Sequence, residues 1–91
     1  MPEYRLAAGV SWTVEPGGIF LTHNSGAAVL RLAYPEAAMW DWMSRGEPWE
    51  GLIRKTRAAA KLEEADAERV VREALRAWVE AGWLVSEASG G

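Results

Sequence analysis

The sequence predicts an α+β domain in which a three-stranded antiparallel sheet precedes three helices. Residues 10–32 contain three short apolar segments separated by turn residues, which is typical of an antiparallel sheet. From residue 35 onward, apolar residues recur every three to four positions, the period of helices that pack one face on a core. With 91 residues and no cysteine, the chain is expected to form a single domain stabilised by packing alone.

Each predicted strand is bounded by turn residues. The segment VSWTVE at 10–15 alternates apolar and polar residues and is followed by Pro16-Gly17-Gly18. The segment IFLT at 19–22 is the second strand, and a turn at 23–26 leads to the third, AVLRL at 28–32. Short strands joined by tight turns indicate a meander.

The helix boundaries follow from proline and glycine. Pro35 suits the first turn of a helix that ends at Gly46, and Pro48 opens a second one. Asp66 is the predicted N-cap of a third helix, which runs to about Ala81. Two short helices at a tight junction followed by a longer one resemble a helix-turn-helix core. Together with the strands, they predict a winged helix-turn-helix-like domain.

The C-terminal end is predicted to form a short strand followed by a flexible tail. Residues 83–85 can return to the core as a short strand, and residues 86–91 are expected to be flexible. The ordered core is thus expected over about 4–86, with a flexible tail at 87–91.

The third helix carries more apolar surface than one core requires. Its bulky centre consists of Val71, Leu75 and Trp78, and a polar band covers only about 100° of its circumference. One flank of that centre carries only small apolar residues: Val70, Ala74, Ala77 and Ala81. Such a flank predicts a shallow trough, and an edge strand beside it would allow an extended peptide to add to the sheet. Alternatively, a small domain buries both flanks, since alanine is also simply a good helix former.

The residue inventory argues against catalysis. His23 is the only histidine, no cysteine is present, and the carboxylates are scattered, so neither a catalytic site, a metal site nor a cofactor is predicted. The net charge of −3 gives no overall attraction to nucleic acid or anionic membranes. No apolar run is long enough to span a bilayer, and the N-terminus does not resemble a signal peptide, which favours a cytoplasmic location.

Two alternative surfaces remain open at this stage. Residues 54–61 hold four basic residues and no acid, which in a helix-turn-helix fold suggests DNA binding, although a solvated helix face is the simpler interpretation. The six tryptophans are expected in the core, but Trp49 or Trp83 could lie partly exposed at a protein contact.

Several segments together resemble the PqqD family of peptide-recognition domains. They are GIFL at 18–21, VLRL at 29–32, PEAA at 35–38, SRG at 44–46 and WVEAGWL at 78–84. The resemblance covers roughly residues 4–86. It implies three N-terminal strands, three helices and no catalytic activity. It further implies that the leader segment of a ribosomally made precursor peptide adds to the third strand and lies against the third helix. A modifying enzyme, often a radical S-adenosylmethionine enzyme, then receives the peptide.

Mapped onto this chain, the resemblance implies a site formed by two elements. The third strand contributes Ala28, Val29, Leu30, Arg31 and Leu32, and the third helix contributes Arg69, Val70, Glu73, Ala74 and Ala77. Within this set, Arg31 and Arg69 are expected to pair with acidic leader residues.

The favoured function is therefore a peptide-binding module or peptide chaperone without chemistry of its own. A small winged-helix DNA-binding or regulatory domain is the alternative, and a structural accessory subunit of an enzyme complex is a third. An open edge at residues 28–32 also predicts weak homodimerisation, because unpaired edges pair with one another.

Overall fold

The computed structural model describes residues 3–24, 26 and 29–87, except for the side chains at positions 3 and 87. Its elements in chain order are β1 (Glu3–Leu6), β2 (Val10–Glu15), β3 (Gly18–His23), β4 (Val29–Leu32), α1 (Glu36–Ser44), α2 (Trp49–Ala60), α3 (Glu64–Glu80) and β5 (Leu84–Glu87). The predicted α+β class, with its three-stranded sheet and three helices, is confirmed. The predicted third strand is β4; Ala28, its expected first residue, lies outside the described residues.

The three predicted strands form one antiparallel sheet in the order β2-β3-β4. A two-residue turn, Pro16-Gly17, closes the first hairpin, so that Glu15 pairs with Gly18. Gly18 is required by close packing, since a Cβ at this position would lie 1.8 Å from the carbonyl oxygen of Leu32 in β4. The backbone approach at Gly18 thus fixes where β4 lies against β3.

The helices begin close to where proline and acidic residues predict. Pro35 and Pro48 occupy the N-cap positions of α1 and α2. The prediction that Asp66 caps α3 is wrong, because the helix starts at Glu64 and Asp66 lies within its first turn. In that position its carboxylate still interacts favourably with the positive end of the helix dipole, and it accepts a hydrogen bond from Arg69.

The two-stranded sheet β1-β5 contains one strand that was predicted and one that was not. β5 confirms a strand after the last helix, but β1 was not predicted, and the two strands pair from Glu3↔Glu87 to Leu6↔Leu84. Ser86 and Glu87, which were expected to belong to a flexible chain end, lie in β5. Pairing with β1 gives their backbone groups partners that an isolated tail would lack.

The core lies between the β2-β3-β4 sheet and the helices. Trp40 is fully buried, and its ring contacts Trp12 and Trp78 edge to face, with centroids 5.7 and 5.3 Å apart. Trp83 is also buried, as expected for the tryptophans in general, and of the two residues named as candidates for partial exposure it is Trp49 that is half-buried. Within the described part of the chain, no helix is long and apolar enough to cross a membrane.

Candidate functional site

β4 forms one edge of the three-stranded sheet, and the register shows which of its backbone groups face outward. The amide of Asn24 donates to the carbonyl of Gly9 at 2.8 Å, so these two residues, next after Val10↔His23, form a hydrogen-bonded pair. Hydrogen-bonded and non-bonded pairs alternate along antiparallel strands. Counting along the register, the backbone groups of Gly18, Phe20 and Thr22 therefore face β2.

The remaining residues of β3 consequently bond to β4. Ile19 and Leu21 pair with Leu32 and Leu30, so the amide and carbonyl groups of these two leucines point into the sheet. The Leu32 carbonyl oxygen lies close to Gly18, which independently supports the assignment that the backbone groups of Leu32 point toward β3. It follows that Val29 and Arg31 direct their N–H and C=O groups toward the edge, where no described strand pairs with them. The edge thus offers two donors and two acceptors.

The side chains of β4 alternate between the two faces of the sheet. Leu32 is buried in the core, and Leu30 packs against it. Val29 is 60% exposed, and Arg31 lies on the outer face with its guanidinium 5.0 Å from the ring centre of Phe20. The strand therefore borders the core with its leucines and presents valine and arginine to the solvent.

The small-residue flank of α3 is open along most of its length. Val71, Leu75 and Trp78 are buried, as the helical pattern predicts. Val70 and Ala74 are half-buried beside the same core that Leu30 packs against, whereas Ala77 and Ala81 are exposed. None of these four positions is fully covered by the chain's own side chains, so the flank retains accessible apolar surface.

The polar residues predicted for the site lie apart from one another. Arg69 donates to Asp66 at 3.0 Å on the exposed side of α3, and Glu73 is exposed on the same helix. Arg31, in contrast, lies on the sheet face that points away from the core, at 3.9 Å from Glu15. The two arginines therefore do not converge on one point, because strand alternation directs Arg31 away from the face that packs on the helices.

A concavity near the end of β4 was not anticipated from the sequence. It has a volume of 540 Å³ and lies where the β2-β3 hairpin meets the residues that follow β4, between Glu15, Arg31 and Ala33. The pairing of β4 with β3 brings these sequence-distant residues together, and only the Pro16-Gly17 turn signal hinted at one side of it.

The basic segment of α2 is less free than its sequence suggests. Lys55 donates to Glu47 at 2.9 Å, and Arg54 approaches the same carboxylate at 4.0 Å. Glu47 precedes the helix, so a search for acids within residues 54–61 does not detect it. Among the described residues, no group of three or more histidine, cysteine, aspartate or glutamate side chains is arranged to hold a metal ion.

Comparison with known proteins identifies the fold. No protein-family model matches the chain, and no curated protein is significantly similar to it in sequence. Two solved structures resemble it closely in three dimensions. One is a lasso peptide synthetase B1 complexed with the leader peptide, at a TM-score of 0.83 and 19% identity, covering 91% of this chain and 98% of the other. The second is TbiB1 in complex with the TbiA(beta) leader peptide, at a TM-score of 0.85 and 19% identity, covering 93% and 99% of the two chains. At this level of identity the likeness establishes that the chain shares the fold of these two proteins.

Proposed function

We propose that this protein is a non-catalytic module that captures the leader segment of a ribosomally made precursor peptide by β-strand addition at β4. The observation that carries the proposal is the edge of β4, where Val29 and Arg31 direct two N–H and two C=O groups outward. An extended peptide satisfies such groups with its own backbone, which supplies affinity without requiring a particular sequence. The two similar solved structures reported above are complexes with leader peptides, which supports the same function.

The flank of α3 would supply the specificity. In an added strand, every second side chain points to the core face of the sheet. On that face, Val70 and Ala74 leave apolar surface half-exposed beside the core that Leu30 also contacts. Apolar leader residues at alternate positions would cover this surface, and the small size of Ala74 and Ala77 leaves room for them.

The three-stranded sheet has a second edge, β2, to which an extended peptide could also add. By the same alternation, Trp12 and Val14 direct their backbone groups away from β3 on that side. The resemblance to PqqD-like domains favours β4, since in that family the leader adds to the third strand. The two edges can be separated experimentally, because each carries a residue whose N–H points outward.

Proline substitution tests the edge directly. Val29→Pro removes an outward donor without breaking a bond to β3, and proline is tolerated at the first residue of an edge strand. We expect Val29→Pro to remain folded and to weaken leader binding by about tenfold or more, which corresponds to roughly 1.4 kcal/mol. Val29→Ala keeps the donor and serves as the matched control for the lost side chain.

Titration calorimetry would use synthetic peptides that cover short open reading frames beside this gene. Val14→Pro, the equivalent change on β2, should leave the affinity unchanged. Leu30→Pro should instead unfold the sheet, because the amide of Leu30 bonds to β3. Full affinity in a folded Val29→Pro variant, or loss of affinity only in Val14→Pro, would refute strand addition at β4.

The captured peptide would be passed to a modifying enzyme in the cytoplasm. The sequence resemblance favours a radical S-adenosylmethionine enzyme for this role, whereas one structural neighbour is a lasso peptide synthetase B1. Co-purification of this protein with each maturation enzyme encoded nearby, with and without the leader peptide, tests which class it serves.

A further inference from the structure

We infer that the outer face of β4 selects leader peptides in which an acidic residue and an apolar residue stand two positions apart. Arg31 would bind the acidic side chain, and Val29 would contact the apolar one. This inference rests on the proposed strand addition at β4 and adds the chemistry of the residues that the added strand must carry.

The side chain of Arg31 is held in place but remains available. Its guanidinium lies 5.0 Å from the ring centre of Phe20, the residue paired with Arg31 across the two strands. This stacking limits the positions that the long side chain can adopt, so less entropy is lost when it binds a carboxylate. Glu15 approaches only to 3.9 Å, and the Arg31 side chain is 72% exposed. Most of its five N–H donors are therefore free for a partner.

The backbone geometry places a peptide side chain directly beside Arg31. Because the N–H and C=O groups of Arg31 face the edge, an added strand would continue the row of cross-strand neighbours Thr13, Phe20 and Arg31 on the outer face. Side chains of directly opposed residues have Cβ atoms about 4.5–5.5 Å apart, within reach of an arginine–carboxylate pair. A lysine or arginine at the same peptide position would meet the guanidinium as a like charge.

Val29 supplies the second half of the preference. It lies two residues from Arg31, hence on the same outer face, and it is 60% exposed. An apolar peptide residue opposite Val29 would remove this surface from water. In an antiparallel peptide the acid precedes the apolar residue, and in a parallel peptide it follows, so the order of the two also reports the direction of the added strand.

Arg57 provides a control arginine. It is exposed on α2 and belongs to neither of the two elements that form the proposed peptide site. Its replacement by glutamate changes the net charge by the same amount without changing the row of side chains beside β4.

The test uses phage-displayed random 12-residue peptides selected on the wild-type protein and on the Arg31→Glu and Arg57→Glu variants. We expect wild type and Arg57→Glu to enrich aspartate or glutamate two positions from an apolar residue. Arg31→Glu should enrich lysine or arginine at the acidic position instead. For one selected peptide, replacing its acid by the corresponding amide should weaken binding to wild type about two- to fivefold, as for an exposed ion pair, and should not weaken binding to Arg31→Glu.

Two failures are distinguishable. If selected peptides lose affinity for Val29→Pro but show no acid preference that switches in Arg31→Glu, the side-chain preference is wrong and strand addition stands. If the peptides bind Val29→Pro as tightly as Val29→Ala, they do not use the β4 edge, and both proposals fail.

Discussion

Replacing Gly18 by alanine is the sharpest test of how β4 is positioned. The new Cβ would lie 1.8 Å from the carbonyl oxygen of Leu32, whereas real Cβ atoms essentially never approach another atom closer than 3.0 Å. The atom it meets belongs to the backbone and cannot rotate away. β4 must therefore move by more than about 1 Å at Leu32, which is enough to break hydrogen bonds that have little tolerance in length.

The expected cost follows from what Leu32 contributes. The Ile19↔Leu32 pair exchanges two backbone hydrogen bonds, which together contribute about 1–3 kcal/mol net. Leu32 is 6% exposed, so its partial withdrawal from the core adds about 1 kcal/mol. We expect Gly18→Ala to lower the free energy of unfolding by about 2–4 kcal/mol, which is a large part of the 5–15 kcal/mol typical of a domain. For a domain of this size the melting temperature should fall by roughly 10–30 °C.

Urea denaturation followed by tryptophan fluorescence measures this change. Gly17→Ala is the matched control, because Gly17 is the adjacent residue and a Cβ there would meet nothing within 4 Å. If Gly18→Ala and Gly17→Ala unfold within about 0.5 kcal/mol of each other, the close approach of β3 and β4 does not exist as described. A destabilised but folded Gly18→Ala variant should also bind leader peptide more weakly, since the edge has moved.

Three further predictions concern the flank of α3, the core and the alternative function. Ala74→Trp should fill the apolar flank of α3 and weaken leader binding at least tenfold, measured by calorimetry. Ala59→Trp, at an exposed position of α2, should leave the affinity unchanged. Equal affinities of the two variants would show that the flank does not contact the peptide. Thr56→Val should raise the free energy of unfolding in urea by about 1 kcal/mol, because the buried Thr56 hydroxyl has no hydrogen-bond partner among the described residues. Thr56→Ser should lower it, and the opposite order would mean that the hydroxyl is hydrogen-bonded. The affinity for leader peptide should change only a few-fold between 50 and 200 mM salt. The affinity of a protein that binds DNA through 6–10 phosphate contacts would fall about 10³–10⁵-fold over the same range, so a steep salt dependence with duplex DNA would favour the winged-helix alternative.

The local patterns predicted the elements that form the candidate site. The alternation at residues 10–15 and the Pro16-Gly17-Gly18 turn predicted the first hairpin, although Gly18, which was expected in the turn, is the first residue of β3 and pairs with Glu15. The period of α3 correctly separated the buried Val71 from the more exposed Ala77. Both results depend only on residues close in sequence, where geometry fixes which side chains share a face.

Pairings between distant segments were not predictable in the same way. β1 has only four residues, and its pairing with β5 depends on where the helices place the chain end, which no local signal in EYRL specifies. The face of the sheet on which Arg31 lies was not predicted, for a related reason. The family resemblance named Arg31 as a peptide contact, but assigning its side chain to one face of the sheet required the register with Phe20.

The β1-β5 pairing has a consequence for how this domain can be combined with others. Glu3 lies opposite Glu87, so the first strand begins beside the end of the last strand, with these two Cα atoms about 5 Å apart. A unit with such neighbouring ends can be spliced into a surface loop of a larger enzyme without pulling its flanks apart. Evolution or protein engineering could thus transplant this domain whole, and a short linker would suffice on either side.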